Sequence, residues 1–273
     1  MEDNFTRPSG FVNIPGVRLA YDSVGVGAPI VFLHGGLLDR RQWDDQIGFF
    51  SGSYHVIRYD LRSSGQSETT PSSEPFAHHE DLLQFLIGLK LQRVSLVGLS
   101  NYAIALDLAI AYQEFVDKLV LVSPGLRGYE FRDPWVAGKS AEMVSALGRR
   151  DLEGAVEAFL SMWVDGPYRT SAEVSSLVRE RVRDMAARAL RLSRLAPNCR
   201  GLEPPAARRL AEVQIPALIV IGDRDAPDIH TIGRLIHCGI TGSRMAIIND
   251  AGHMLVMERP HEFNYLVKNF LEM

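Results

Sequence analysis

Residues 94–103 read Val-Ser-Leu-Val-Gly-Leu-Ser-Asn-Tyr-Ala. The run 94–97 has strand length and, Ser95 apart, is apolar, as a strand buried on both faces must be. It stops at Gly98-Leu99-Ser100-Asn101. Beyond it, Tyr102, Ile104, Leu106, Leu108, Ile110 and Tyr112 alternate with four alanines and Asp107. That period fits a strand or a helix, but the alanine content and the length favour a helix apolar on all sides and therefore deeply buried. A strand that passes through a sharp turn into such a helix raises the Ser100 hydroxyl above the sheet, beside helix N–H groups that attract negative charge. A serine there also makes a good helix N-cap. On these ten residues alone the two readings stand level.

Outward from this point the texture repeats. The runs 30–33, 56–59, 119–122, 217–221 and 245–248 are of strand length and, Arg58 apart, apolar. Between them come helical patterns, such as Leu82, Phe85, Leu86 and Leu89, or Phe263, Leu266, Val267 and Phe270, at i, i+3, i+4, i+7. Strand and helix in alternation predict an α/β fold with a mostly parallel central sheet flanked by helices. Before it, 11–14 and 17–24 bracket Pro15-Gly16 and predict an antiparallel hairpin. The rhythm breaks over 125–212, where helical segments at 137–147, 151–163 and 171–195 precede the proline-rich Pro204-Pro205. This stretch is read as a helical cap inserted over the strand C-termini, where ligands bind in open α/β sheets. The division is a core of 1–124 and 213–273 with a cap of 125–212.

Composition agrees and excludes other classes. Of 273 residues, 46% are hydrophobic and 23% charged, which is incompatible with a disordered chain. Twenty-nine Lys and Arg against 33 Asp and Glu leave a net charge of −4 with no basic cluster, so no nucleic-acid partner is expected. Cys199 and Cys238 have no metal or redox spacing and are expected to be free thiols. An acidic start, MEDNFTRPSGFVNIPG, and the lack of a long apolar run predict a cytoplasmic protein without a membrane partner. The remaining partner is a small-molecule substrate, and oligomeric state is not legible.

Further chemistry-bearing residues fall just past strands. The run 30–33 ends in His34-Gly35-Gly36, whose backbone can aim an N–H at the serine's reaction centre. The run 217–221 ends in Gly222-Asp223-Arg224-Asp225, and 245–248 leads to Asn249-Asp250-Ala251-Gly252-His253. A serine hydroxyl needs a base to take its proton, and the base needs a carboxylate to fix its tautomer. The chain order Ser, Asp, His supplies each role, with Asp223 or Asp228 as alternatives to Asp225.

The sequence resembles the α/β-hydrolase family over nearly its whole length, through LHGG at 33–36, YDLRSSGQS at 59–67, VGLS at 97–100, GDRD at 222–225 and AGH at 251–253. The resemblance implies Ser100 as nucleophile, His253 as general base and Asp225 as orienting carboxylate, with Gly36 and Asn101 N–H groups as oxyanion hole. Leu37, Tyr102, Trp135, Trp163 and Met254 are the implied substrate contacts, and no cofactor or metal is implied. Within the family the chain is most similar to esterases and enol-lactonases. The expected reaction is hydrolysis of a carboxylic ester or lactone of a small to medium apolar molecule through an acyl-enzyme on Ser100. The rivals are a carbon–carbon bond hydrolase or lyase with the same triad, and a receptor-like binding protein.

Two positions depart from the family pattern. Tyr102 stands where GxSxG has its second glycine, and it either narrows the acyl pocket or packs in the core; Ser63 replaces the glycine of the DxRGxG turn. Asp60 and Arg62 are expected to hold that turn. His230 and His237 can share a helix face but lack a third ligand. His78-His79 open a helix and are expected to be solvated. Tyr129, Phe131, Trp135, Phe159, Met162 and Trp163 make the insertion aromatic and would pack the cap or roof a pocket.

Overall fold

The structure is a computed structural model that describes residues 9–69, 75–100, 103–191 and 198–273. Strands β1 (Ser9–Ile14) and β2 (Val17–Val24) form the predicted hairpin. It joins β3 (Ala28–Leu33), β4 (Tyr54–Tyr59), β5 (Val94–Leu99), β6 (Val116–Val122), β7 (Ala217–Gly222) and β8 (Arg244–Ile248) in one eight-stranded sheet, ordered β1-β2-β4-β3-β5-β6-β7-β8. β2 runs antiparallel to both neighbours and every later pairing is parallel. The continuous apolar runs are the central strands: Ile30, Phe32, Ile57, Leu96, Val120 and Ile219 have no exposed surface. β8, at the edge, is only half covered, and its pattern is correspondingly mixed. Because β3, β5, β6 and β7 lie nearly side by side and parallel, the loops after them open on one end of the sheet.

The helices are α1 (Asp44–Phe50), α2 (His78–Gly88), α3 (Ile104–Ala111), α4 (Pro134–Gly148), α5 (Leu152–Leu160), α6 (Ser176–Arg191), α7 (Pro227–Gly239), α8 (Leu255–Glu258) and α9 (Pro260–Leu271). Every residue of α3 from Ile104 to Ile110 is buried, which resolves its ambiguous period in favour of the all-apolar helix. Its lone acid, Asp107, sits 3.3 Å from Arg127, and burial pushes its carboxyl up to about 7. α4, α5 and α6 stand between β6 and β7. Asp133 and Asp151 cap α4 and α5 by accepting backbone N–H groups.

Two helical expectations need adjustment. The segment 151–163 is not one helix, since α5 ends at Leu160 and widens into a π-helical turn, Ser161–Asp165, closed by Gly166 at φ +73°. The segment 171–195 opens with a separate turn, Ser171–Glu173, held by a capping box between Thr170 and Glu173, before α6 begins. His79 is buried rather than solvated and His78 is half-buried, and desolvation pushes His78 down to about 3 and lowers His79. Asp60 and Arg62 hold the turn as expected, Asp60 accepting from Gln66 and Arg40 and Arg62 pairing with Asp81 at 2.6 Å. Among the described residues no helix is long and apolar enough to cross a membrane.

Candidate active site

Ser100 follows β5 directly and adopts φ +54°, a left-handed conformation that costs a residue with a side chain roughly 1–2 kcal/mol. Its N–H donates to Val122 O at 2.9 Å, and Ala103, also left-handed, donates to Ser100 O at 2.8 Å. The strain persists because β6 on one side and α3 on the other over-determine the turn. Gly98 eases that packing, since a Cβ there would sit 3.2 Å from Ala105 Cβ and press the helix back by a few tenths of an ångström. The strand-to-helix turn read from the sequence is therefore present, with Ser100 half-buried at its crest.

The acid and base meet because the end of β7 is bare. A Cβ on Gly222 would lie 2.2 Å from Ala251 O, so only glycine lets the 251–253 loop close onto β7. His253 Nδ1 then lies 3.1 and 3.0 Å from the two Asp225 oxygens, and Asp225 Oδ1 also accepts Ala226 N–H at 2.8 Å. Both side chains are buried. A carboxylate that accepts at Nδ1 keeps the proton there and leaves Nε2 free to accept another. The other two acids are engaged elsewhere. Asp223 accepts Ala251 N–H at 3.2 Å and pairs with Arg224. Asp228 accepts Tyr129 Oη–H and the Arg132 and Asp133 N–H groups, each at 2.7 Å, and so ties the lead-in of α4 to α7.

The glycine turn after β3 is pinned from both sides. His34 is buried; its Nδ1 lies 2.8 Å from Gly35 O while Leu61 N–H donates to Nε2 at 3.0 Å, so Nδ1 carries the proton, and burial lowers its pKa. Gly35 N–H donates to Gln42 Oε1 at 2.8 Å. Gln42 has no sequence signal beyond its position in an ordinary helical turn. The pinned loop presents Gly36 to a cavity of about 170 Å³, which is also lined by Gly35, Leu38, Leu99, Ser100, Gly125, Phe131, Phe159, Trp163, His253 and Met254.

Of the expected site residues, Ser100, His253, Gly36, Trp163 and Met254 thus share one cavity, with Asp225 behind His253. Leu37 and Trp135 do not line it. Leu37, left-handed at φ +57°, packs half-buried against the core and Leu38 lines the cavity instead, while the Trp135 ring centre lies 5.1 Å from Lys139 Nζ. Phe131 and Phe159 supply the aromatic wall instead. Asn101 and Tyr102 lie outside the described residues. Sequence reading also missed Arg169 and Glu258, a largely covered ion pair beside the His253 loop, because each looks like an ordinary surface charge in its own segment.

This chain is 29% identical over 272 residues to 2-hydroxy-6-oxononadienedioate/2-hydroxy-6-oxononatrienedioate hydrolase 2 of Pseudomonas putida, covering 94% of this chain and 92% of that protein. It is 26% identical over 245 residues to 3-oxoadipate enol-lactonase 1 of Acinetobacter baylyi, covering 89% and 88%. Its fold matches the crystal structure of a bromoperoxidase from Bacillus anthracis with a TM-score of 0.80 at 26% identity, over 97% of this chain and 100% of that one. Residues 30–264 match the pattern of the Alpha/beta hydrolase family, and the chain belongs to that family.

Proposed function

We propose that the protein hydrolyses a carboxylic ester or lactone of a small to medium apolar molecule through an acyl-enzyme on Ser100. The observation that carries this reading is the shared cavity: a serine held in a strained elbow faces the same space as a buried histidine whose Nδ1 is held by Asp225. In this reaction His253 Nε2 takes the Ser100 proton as Oγ adds to the substrate carbonyl carbon. The oxyanion formed faces the Gly36 N–H, with the Asn101 N–H as the second donor expected from the sequence. Collapse breaks the C–O bond and the leaving alkoxide takes the proton from His253; in a lactone that alcohol stays tethered to the acyl group. Water then adds to the acyl carbon as His253 removes its proton, and the acid leaves as Ser100 regains its hydrogen.

The walls support a neutral substrate. Leu38, Leu99, Phe131, Phe159, Trp163 and Met254 are apolar, and the described lining contains no Lys or Arg. The two relatives carry names of dicarboxylates, for which such a lining offers no counter-charge. Cleavage of a carbon–carbon bond beside a carbonyl is the second reading, favoured by the Pseudomonas putida relative. An organophosphonate should label the peptide containing Ser100, and Ser100→Ala should lose both the label and ester turnover, the latter by on the order of 10³-fold or more. Undiminished turnover in that variant overturns the assignment, and carbon–carbon cleavage without ester turnover selects the second reading.

A further inference from the structure

Trp163 lies against the proposed general base. The centres of the Trp163 and His253 rings are 4.4 Å apart with the planes inclined at 37°, and Phe131 meets the indole in an edge-to-face arrangement at 6.3 Å. The indole is placed by the π-helical turn Ser161–Asp165, a local widening of the kind that recurs at functional sites. That turn is bound to the histidine loop through one largely covered ion pair. Arg169 donates to Val164 O at 2.8 Å and to Asp165 O at 3.1 Å, and it pairs with Glu258. Glu258 Oε1 in turn accepts the N–H of Gly252, the residue before His253, at 3.1 Å. The backbones carrying the two rings are therefore held to a common anchor.

We propose that Trp163 is a catalytic residue whose π face stabilises the His253 imidazolium formed when Ser100 or water is deprotonated; this rests on the serine-hydrolase reading above. His253 is neutral when it accepts that proton and charged in the tetrahedral intermediate. An aromatic face attracts a cation more strongly than a neutral ring, so the contact tightens along the reaction and lowers the barrier without tightening substrate binding. The charged groups around His253 are compatible with this. Asp225 holds Nδ1, the Arg169–Glu258 pair sits behind Gly252 with its charges matched, Asp223 pairs with Arg224 and accepts the Ala251 N–H, and Asp250 is paired with Arg224 and Arg259.

The test compares Trp163→Leu and Trp163→Phe with the parent on esters of increasing acyl length. Trp163→Leu should lower kcat by roughly three- to thirtyfold at every length with KM little changed, and Trp163→Phe should recover most of the loss. A raised KM with kcat retained, or a loss that depends on acyl length, makes Trp163 a substrate wall and overturns the proposal. A second measurement needs no substrate and no turnover. Imidazolium quenches indole emission on contact, so the parent should show acid-dependent quenching that His253→Gln and Trp163→Phe both lack. Identical quenching in the parent and His253→Gln overturns the contact itself. Intact quenching in a parent without ester turnover sinks the hydrolase reading and the catalytic role with it, which tells that failure apart from a failed contact.

Discussion

Replacing Asp225 by Asn perturbs one interaction at near-constant shape. Asp225 Oδ1 accepts the Ala226 N–H at 2.8 Å, so the oxygen of an asparagine would stay on that side, 3.1 Å from His253 Nδ1, and its NH₂ would take the Oδ2 position 3.0 Å from the same nitrogen. A donor there competes with that oxygen and favours Nδ1 as an acceptor, and in that tautomer the imidazole proton sits on Nε2, where it blocks uptake of the Ser100 proton. The charge term points the same way. A carboxylate 3.0 Å from an imidazolium is worth about 5.5 kcal/mol at an effective dielectric of about 20, or about four decades in rate. We therefore expect Asp225→Asn to lower kcat for ester hydrolysis by roughly 10⁴-fold and to slow phosphonate labelling of Ser100 in parallel, with the thermal midpoint nearly unchanged. Initial rates beside thermal unfolding check both halves. Asp223→Asn is the control, and it should cost less than about tenfold, because its N–H acceptor role at Ala251 survives in the amide. An inert Asp223→Asn enzyme beside a normal Asp225→Asn enzyme would refute the reasoning.

Three further outcomes follow from the packing. Ser63 sits at φ +62° in a buried turn, so Ser63→Gly should raise stability by roughly 0.5–1 kcal/mol, read as a higher thermal midpoint. Asp228→Ala strands Tyr129 Oη–H and the Arg132 and Asp133 N–H groups and should cost about 1–3 kcal/mol in urea unfolding; an unchanged midpoint would show that water replaces the carboxylate at no cost. Burial raises the Asp107 carboxyl to about 7, against the pull of Arg127, so the folded chain keeps a proton that the unfolded chain loses near 3.8. Stability from this group is present at low pH and declines as pH rises from about 4 to about 7. Asp107→Asn should remove that slope, so that unfolding free energies of parent and variant diverge by up to a few kcal/mol between pH 5 and 8.

The features legible before the structure are those whose cause is local. A strand such as β5 announces itself because burial on both faces requires an almost entirely apolar run, and α3 because alanine and aliphatic residues, Asp107 apart, fill a helix buried from Ile104 to Ile110. Motif order carried further, since Ser100, Asp225 and His253 each follow a strand closely, and parallel strands bring those ends together. Where local pattern misled, the reason is tertiary. His78 and His79 open a helix, a position that is usually wet, but the fold buries His79 and covers half of His78. The helix at 151–163 reads as continuous by period, yet its last turn widens at Ser161–Asp165.

The sequence by itself therefore determined the α/β alternation, the serine turn and the set of acids from which a partner for His253 must come. Periodicity, turn chemistry and chain order are properties of neighbouring residues, and they survive any error about what packs where. The tertiary structure decided the rest. It put Asp225 rather than Asp223 or Asp228 on His253 Nδ1, chose Leu38 and Phe131 over Leu37 and Trp135 for the cavity wall, and set Gln42 against Gly35. It also joined Arg169 to Glu258, 89 residues apart, and brought the Trp163 ring against His253. Each of these is a side-chain contact resolved to a few ångströms, and a shift of one residue in a turn or one rotamer redirects it. Contacts of that kind are settled when the segments pack, which no single segment of the chain records.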